Sequence, residues 1–181
     1  MMSKKRSHLF ITYSLFPTSI GWCGVLTAER GLLRLYVGYA KRNQLLNHIA
    51  GGVGSRIKKV PAGGMVIDRI KRYCSGENVS FEGCTMDWSS LSPFQQKVLK
   101  AARKIPYGSV ATYGRLARKI GCPRGSRAVG NALAQNPFPL VVPCHRIIRG
   151  DGKPGGFSAG GGVMLKNKLL QMEQLSIQKN R

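Results

Sequence analysis

The chain changes texture near residue 90, and no other feature narrows its fold as much. Before that point short apolar runs alternate with turn residues. Residues 10–16 lead to Pro17, residues 22–27 follow Gly21, and Gly31 precedes the run 32–37. These read as strands of an antiparallel sheet. Residues 44–50 read as a helix start stopped by Gly51, Gly52 and Gly54, and residues 66–74 as a short helix. Residues 76–88 read as a strand or connector. After that point the signals are helical. Ser92 caps, Pro93 takes the first helical position and Gln95 completes a capping box. Phe94, Val98, Leu99, Ala102 and Ile105 share one face, and Pro106 and Gly108 end the helix. A second helix runs from Thr112, its cap, to Ile120, with Gly121 as its stop. Ser126 caps a third, residues 127–135, closed by Asn136-Pro137. A further helix is expected over 163–177. Strands first and helices later predict an α+β chain, with units at 1–90 and 91–181.

Two short helices joined by a Gly-containing turn outline a helix-turn-helix. The third helix is built from small residues, Ala128, Gly130, Ala132 and Ala134, behind Arg127. A glycine inside a helix costs roughly 1 kcal/mol, so Gly130 wants a close approach, either to another helix or to an external partner. A positive charge at a helix start opposes the helix dipole, which favours an external role for Arg127.

Charge points the same way. Lys and Arg number 29 against 7 Asp and Glu, a net charge of +22 over 181 residues. The half after residue 90 holds only two acids, Asp151 and Glu173. So strong a positive field attracts a polyanion, with nucleic acid first and an anionic membrane surface second. No apolar run approaches the roughly 20 residues of a membrane span. The 43% hydrophobic content argues against a disordered chain. The basic start, with its short apolar patch Leu9-Phe10-Ile11, is not expected to act as a secretory signal. Five cysteines, at 23, 74, 84, 122 and 144, form no CxxC pair. A disulfide framework and a cysteine-rich zinc site are therefore not expected, and a reducing compartment is: cytoplasmic, or nuclear in a eukaryote.

One cysteine stands in a special context. Cys144 follows the apolar run Leu140-Val141-Val142 and sits between Pro143 and His145. A thiol is a weak nucleophile until it loses its proton, and a neighbouring base raises the thiolate fraction. The residues alone leave three classes open: a DNA-modifying protein, a DNA-binding regulator that does not need Cys144, and a Cys-His hydrolase with no need for DNA.

The ordered set Ile105-Pro106-Tyr107-Gly108, Thr112-Tyr113, Arg127-Ala128-Val129-Gly130, Asn136-Pro137, Pro143-Cys144-His145-Arg146, Gly156-Phe157-Ser158 and Lys166…Leu169-Leu170…Glu173 resembles the O6-alkylguanine-DNA alkyltransferases, over roughly residues 92–175. The resemblance implies a small ribonuclease-H-like α/β N-terminal domain followed by a winged helix-turn-helix-type C-terminal domain. It implies repair of O6-alkylguanine, and less readily O4-alkylthymine, in double-stranded DNA by a protein used once. A monomer without cofactor is expected. Some members of the family carry zinc in the N-terminal domain, but Cys23, Cys74 and Cys84 give no recognisable site, so no metal is expected. Cys144 would accept the alkyl group. His145 would take its proton through a water, and Glu173 would orient His145. Tyr113 would assist the leaving guanine, and Asn136 would support the active-site turn. Arg127 would fill the space left by a flipped nucleotide. Ser126, Ala128, Gly130 and Arg146 would share the DNA-facing surface with Tyr113 and Arg127. Pro139, Val142, Phe157 and Ser158 would line the pocket for the alkylated base. Phe157 stands where tyrosine is frequent, and the stretch 159–165 is longer than usual.

Overall fold

Two glycines set the turns of the sheet. Gly21 and Gly31 hold φ of 110° and 109°, a region costly for any residue with a Cβ, and a Cβ at Gly31 would lie 2.5 Å from the Thr85 carbonyl oxygen. Around them fold β1 (Ile11–Thr18), β2 (Gly21–Ala28) and β3 (Gly31–Tyr39), antiparallel, with Phe16 opposite Cys23 and Val25 opposite Leu35. A computed structural model describes residues 10–53 and 57–179; the basic start, His8 and Gly54 lie outside the described residues. Helix α1 (Arg42–Val53) follows, and β4 (Ile57–Lys59) then pairs parallel to β1, giving the order β3-β2-β1-β4. The expected stop at Gly51 and Gly52 does not occur. Leu45 and Ile49 are fully buried under the sheet, and their burial offsets two exposed glycines at roughly 1 kcal/mol each.

The period-2 alternation of β2 and β3 sends neighbours to opposite faces. Leu26 and Tyr36 pack with α1, whereas Val25, Leu35 and Val37 join a larger core on the other face. An extra residue in β3 between Tyr36 and Tyr39 shifts the register and brings Tyr39 to the α1 side. Helix α2 (Met65–Cys74) lies on that larger core through Ile67, Ile70, Tyr73 and Cys74. The connector after it reaches the edge of β3, where Leu32 N–H donates to Thr85 and Asp87 N–H to Leu32.

Helix α3 (Pro93–Arg103) opens with the full capping box: Gln95 N–H donates to Ser92 Oγ and Ser92 N–H to Gln95 Oε1. Val98, Leu99 and Ala102 are buried, while Phe94 sits at the exposed edge of its face. A two-residue β5 (Ala111–Thr112) precedes α4 (Tyr113–Lys119), capped by Thr112 Oγ1. Helix α5 (Ser126–Ala134) differs at its start from expectation. Gly125 occupies the cap position, no side chain bonds there, and Ser126 is already helical. A 3₁₀ turn at Cys144–Arg146 leads into β6 (Ile147–Ile148), parallel to β5, and α6 (Gly162–Lys179) closes the chain. The larger core runs without a break from Phe16 and Val37 to Phe138, Ile147 and Leu169, across the expected boundary at 90/91. Among the described residues no helix is long and apolar enough to cross a membrane.

Candidate active site

Asn136 builds the turn that presents Cys144. Its Oδ1 accepts from Phe138 N–H at 2.9 Å, and its Nδ2 donates to the Val142 carbonyl at 2.9 Å and to Cys144 Sγ at 3.1 Å. Val142 N–H closes the turn on the Phe138 carbonyl at 2.8 Å. Inside it Leu140 holds φ of 72°, a left-handed conformation that costs a side-chain-bearing residue of order 1 kcal/mol or more and persists only where neighbours enforce it. Here Asn136 enforces it.

The thiol is 7% exposed. Burial pushes the Cys144 pKa up, and the Asn136 amide, the Lys166 charge and the Cys144 and His145 backbone N–H groups offset only part of that. The resting group is a thiol, so the neighbouring charges do not leave a standing thiolate, and the proton has to leave as sulfur attacks. Lys166 is itself buried. Its Nζ donates to the Ile147 carbonyl at 2.5 Å, and burial brings its pKa down to about 8, an effect that Cys144 counteracts only when it is ionised.

His145 is fully buried one residue on. Its Nε2 meets Glu173 Oε1 at 2.9 Å and the Tyr73 hydroxyl at 3.0 Å, and its Nδ1 has no hydrogen-bond partner on the protein. Burial lowers its pKa below 6.5 despite Glu173, so the ring is neutral at pH 7. A carboxylate at Nε2 places the ring proton there and leaves the Nδ1 lone pair to accept one. Glu173 also receives Gly108 N–H at 2.9 Å, Tyr73 O–H at 2.5 Å, and Arg146 through Nε at 3.1 Å and Nη2 at 2.9 Å. Burial alone would raise its pKa; the His145 and Arg146 hydrogen bonds and charges overcome that and hold it at about 2.

Arg146 therefore does not face outward. It is 8% exposed, paired with Glu173, and its Nη1 donates to the Ile105 carbonyl at 2.6 Å. The expectation of a DNA-facing Arg146 is corrected: its charge balances a buried carboxylate. Tyr73, which the sequence reading passed over, is a member of the cluster.

Cys144 opens onto a cavity of about 390 Å³ walled by Tyr113, Gly130, Leu133, Ala134, Gly156, Phe157 and Ser158. That is room for a planar heterocycle with a substituent. Two expected pocket residues are not on its wall. Val142 is fully buried, its carbonyl held by Asn136, and Pro139 lines an adjoining cleft that shares Ala134 and Ser158 with this cavity. Tyr113 is half-buried; a Cβ at Gly130 would sit 3.7 Å from its ring, so the tyrosine seals the cavity against α5. Arg127 and Ala128 are exposed on α5, and Ser126 is half-buried beside Gly114 of α4. The long glycine stretch packs onto the sheet: Gly160 N–H donates to the Val37 carbonyl at 3.0 Å, and a Cβ there would meet the Tyr39 ring at 2.9 Å. Among the described residues no group of three His, Cys, Asp or Glu side chains is placed to hold a metal.

The family model for the 6-O-methylguanine DNA methyltransferase DNA binding domain matches residues 93–175. A methylated-DNA–protein-cysteine methyltransferase of Methanothermobacter thermautotrophicus is 42% identical over 114 residues, 62% of this chain and 62% of that protein. The match thus spans less than two thirds of that relative's length. One of Shigella flexneri is 41% identical over 160 residues, 86% of this chain and 91% of that protein. The crystal structure of Mycobacterium tuberculosis OGT in complex with DNA superposes with a TM-score of 0.74 at 30% identity, covering 91% of this chain and 94% of that one. Identity at this level over nine tenths of a relative, carried by the same mixed α+β architecture, means that the chain belongs to the methylated-DNA–protein-cysteine methyltransferase family.

Proposed function

We propose that this protein repairs double-stranded DNA by moving the alkyl group of O6-alkylguanine, and less readily of O4-alkylthymine, onto Cys144 Sγ. The observation that carries the reading is the Asn136–Cys144 and His145–Glu173 constellation at the inner wall of a base-sized cavity beneath α5. A guanine inside a duplex hides its O6 substituent, so the nucleotide has to be extruded, at a few kcal/mol of unstacking. Arg127, exposed on the first turn of α5, is suited to fill the vacated stack, and the small Ala128 beside it lets the helix approach a groove wall. The relative solved with DNA supports duplex DNA as the partner. Affinity then comes mostly from phosphates.

In the reaction the carbon–oxygen bond at O6 breaks as a carbon–sulfur bond forms. The thiol proton passes through a water to His145 Nδ1, and Glu173 stabilises the imidazolium without taking its proton, since its pKa is about 2. The electron pair of the broken bond leaves with guanine, which takes a proton to finish as the ordinary base. Tyr113, on the cavity wall with its pKa raised by burial, is the acid placed to assist. The thioether is stable, so each chain acts once. Phe157 and Ser158 bound the base pocket.

The finer architecture belongs to the same proposal. The order β3-β2-β1-β4 supports a ribonuclease-H-like unit over 1–90, and α4 and α5 with the β5–β6 pair support a winged helix-turn-helix-type unit over 91–181. The protein acts as a monomer. Intact mass after incubation with an O6-methylguanine duplex tests the chemistry. Wild type gains one CH2 and Cys144→Ala gains none; no gain in wild type, or a gain that survives the substitution, rejects the reading.

A further inference from the structure

Tyr73 is a buried polar side chain at the site to which alkyl transfer itself assigns no task. It comes from α2, in the first half of the chain, and is fully buried. Its hydroxyl stands 2.5 Å from Glu173 Oε1 and 3.0 Å from His145 Nε2, and those two atoms are 2.9 Å apart. We infer that Tyr73 is a positioning residue, whose hydroxyl donates to Glu173, accepts from His145 Nε2–H, and so fixes the imidazole as the tautomer with a free lone pair at Nδ1.

Counting hydrogens fixes the arrangement. Three heteroatoms form a closed triangle, and the carboxylate corner can only accept. The tyrosine has one hydrogen, and the 2.5 Å contact assigns it to the carboxylate. Nε2 must then carry a hydrogen of its own, shared between Oε1 and the tyrosine oxygen. With the proton on Nδ1 instead, an Nε2 lone pair would face two oxygens with one hydrogen among the three, and all three side chains are buried. Burial, and then the Glu173 charge, raise the Tyr73 pKa well above 10, so the hydroxyl stays a donor over the whole working range. The end of α2 is tied down as well: the Gly76 carbonyl accepts from Tyr107 O–H at 3.2 Å and Ser176 Oγ–H at 2.6 Å. The first half of the chain thereby completes a proton-accepting group carried by the second half.

The inference rests on the alkyl-transfer reading only in giving Nδ1 its task; the tautomer itself is measurable without substrate. The charged and titratable groups around His145 are Glu173, Arg146, Lys166, Cys144 and Tyr73. Removing the Tyr73 donor concentrates charge on Glu173 Oε1, which binds an imidazolium more tightly. The test is NMR titration of ring-15N-labelled histidine in wild type, Tyr73→Phe and Tyr107→Phe, the last keeping the aromatic packing beside Tyr73 without touching the triangle. Wild type shows the Nε2–H tautomer. In Y73F the His145 midpoint moves up by about half a pH unit or more. Single-turnover transfer slows roughly tenfold, and its acid limb moves to higher pH with the midpoint. Y107F, in which the Gly76 carbonyl keeps its shorter bond from Ser176 Oγ–H, leaves the midpoint in place.

A His145 midpoint and tautomer in Y73F equal to wild type overturn the inference, and so does a slower rate with an unmoved midpoint, which is a packing effect. Should Y73F fail to fold, wild type decides alone: an Nδ1–H tautomer, or a Tyr73 hydroxyl proton that exchanges freely with water, overturns it. Failure of wild-type transfer with the expected titration would instead count against the alkyl-transfer reading.

Discussion

Glutamine at position 173 tests the electrostatic core of the site. The Glu173 carboxylate collects Gly108 N–H, Tyr73 O–H, His145 Nε2–H and the Arg146 guanidinium, and it is 1% exposed. Glu173→Gln keeps the shape but removes the charge, and its amide nitrogen aims hydrogens at a ring of donors. The native pKa of about 2, against 4.5 for a free side chain, corresponds to about 3 kcal/mol at about 1.4 kcal/mol per pH unit. Part of this comes from the charge of an imidazolium, which exists only in acid, so about 3 kcal/mol is a ceiling at neutral pH, where the His145 hydrogen bond and the Arg146 ion pair remain. Breaking a buried pair from one side costs about 3–5 kcal/mol, because the guanidinium is left uncompensated. We expect E173Q to lose about 3 kcal/mol in urea unfolding at pH 7, or about 6–12 °C in Tm for a chain of this size. The pH dependence has a definite sign. A carboxylate whose folded pKa is depressed stabilises fully above about pH 4.5, and that contribution fades as pH falls towards about 2. The gap between wild type and E173Q must therefore narrow between pH 5 and pH 3. A gap under about 1 kcal/mol at pH 7, or one that does not change with pH, refutes the reasoning.

Other perturbations separate fold from function. Asn136→Ala orphans the buried Phe138 N–H and leaves the Val142 carbonyl only its Cys144 N–H donor, and should cost about 1–3 kcal/mol in denaturant unfolding. It also removes a donor from the sulfur, so the thiol titration followed with an alkylating reagent should move to higher pH. Arg127→Ala changes an exposed residue and should leave stability within about 0.5 kcal/mol, while slowing transfer from a duplex in stopped-flow assays. Gly130→Ala has ordinary contact distance to Tyr113 and should stabilise the helix by up to about 1 kcal/mol in thermal unfolding with transfer retained. Gly130→Trp should fill the cavity and abolish transfer without unfolding the chain.

What could be read from the sequence was local. The Ser92–Gln95 capping box and the Thr112 cap are fixed by residues three apart, so their chemistry is visible in the chain. Gly51 and Gly52 misled because helix propensity is a weak term that Leu45 and Ile49 override through burial. Ser126 misled because Gly125 takes the cap position and moves the helix start by one residue. Arg146 carries the same charge as its exposed neighbours, and only the fold shows that it faces Glu173, 27 residues away. Tyr73 lies 72 residues from His145 and 100 from Glu173, in a helix with an unremarkable apolar pattern, so no spacing rule could join them. The Cys144–His145 adjacency was legible as chemistry; that burial keeps the sulfur protonated at rest was not, since it depends on side chains that pack around it only in the fold.

The central claim is that one sulfur, Cys144 Sγ, accepts one alkyl group and keeps it. It is tested most directly with a duplex carrying a radiolabelled methyl group on guanine O6, supplied in excess, with label counted per chain and then located by peptide mapping. The account predicts a plateau at one label per chain, all of it in the Cys144 peptide. Continued release of label into solution, or label on Cys23, Cys74, Cys84 or Cys122 instead, contradicts it.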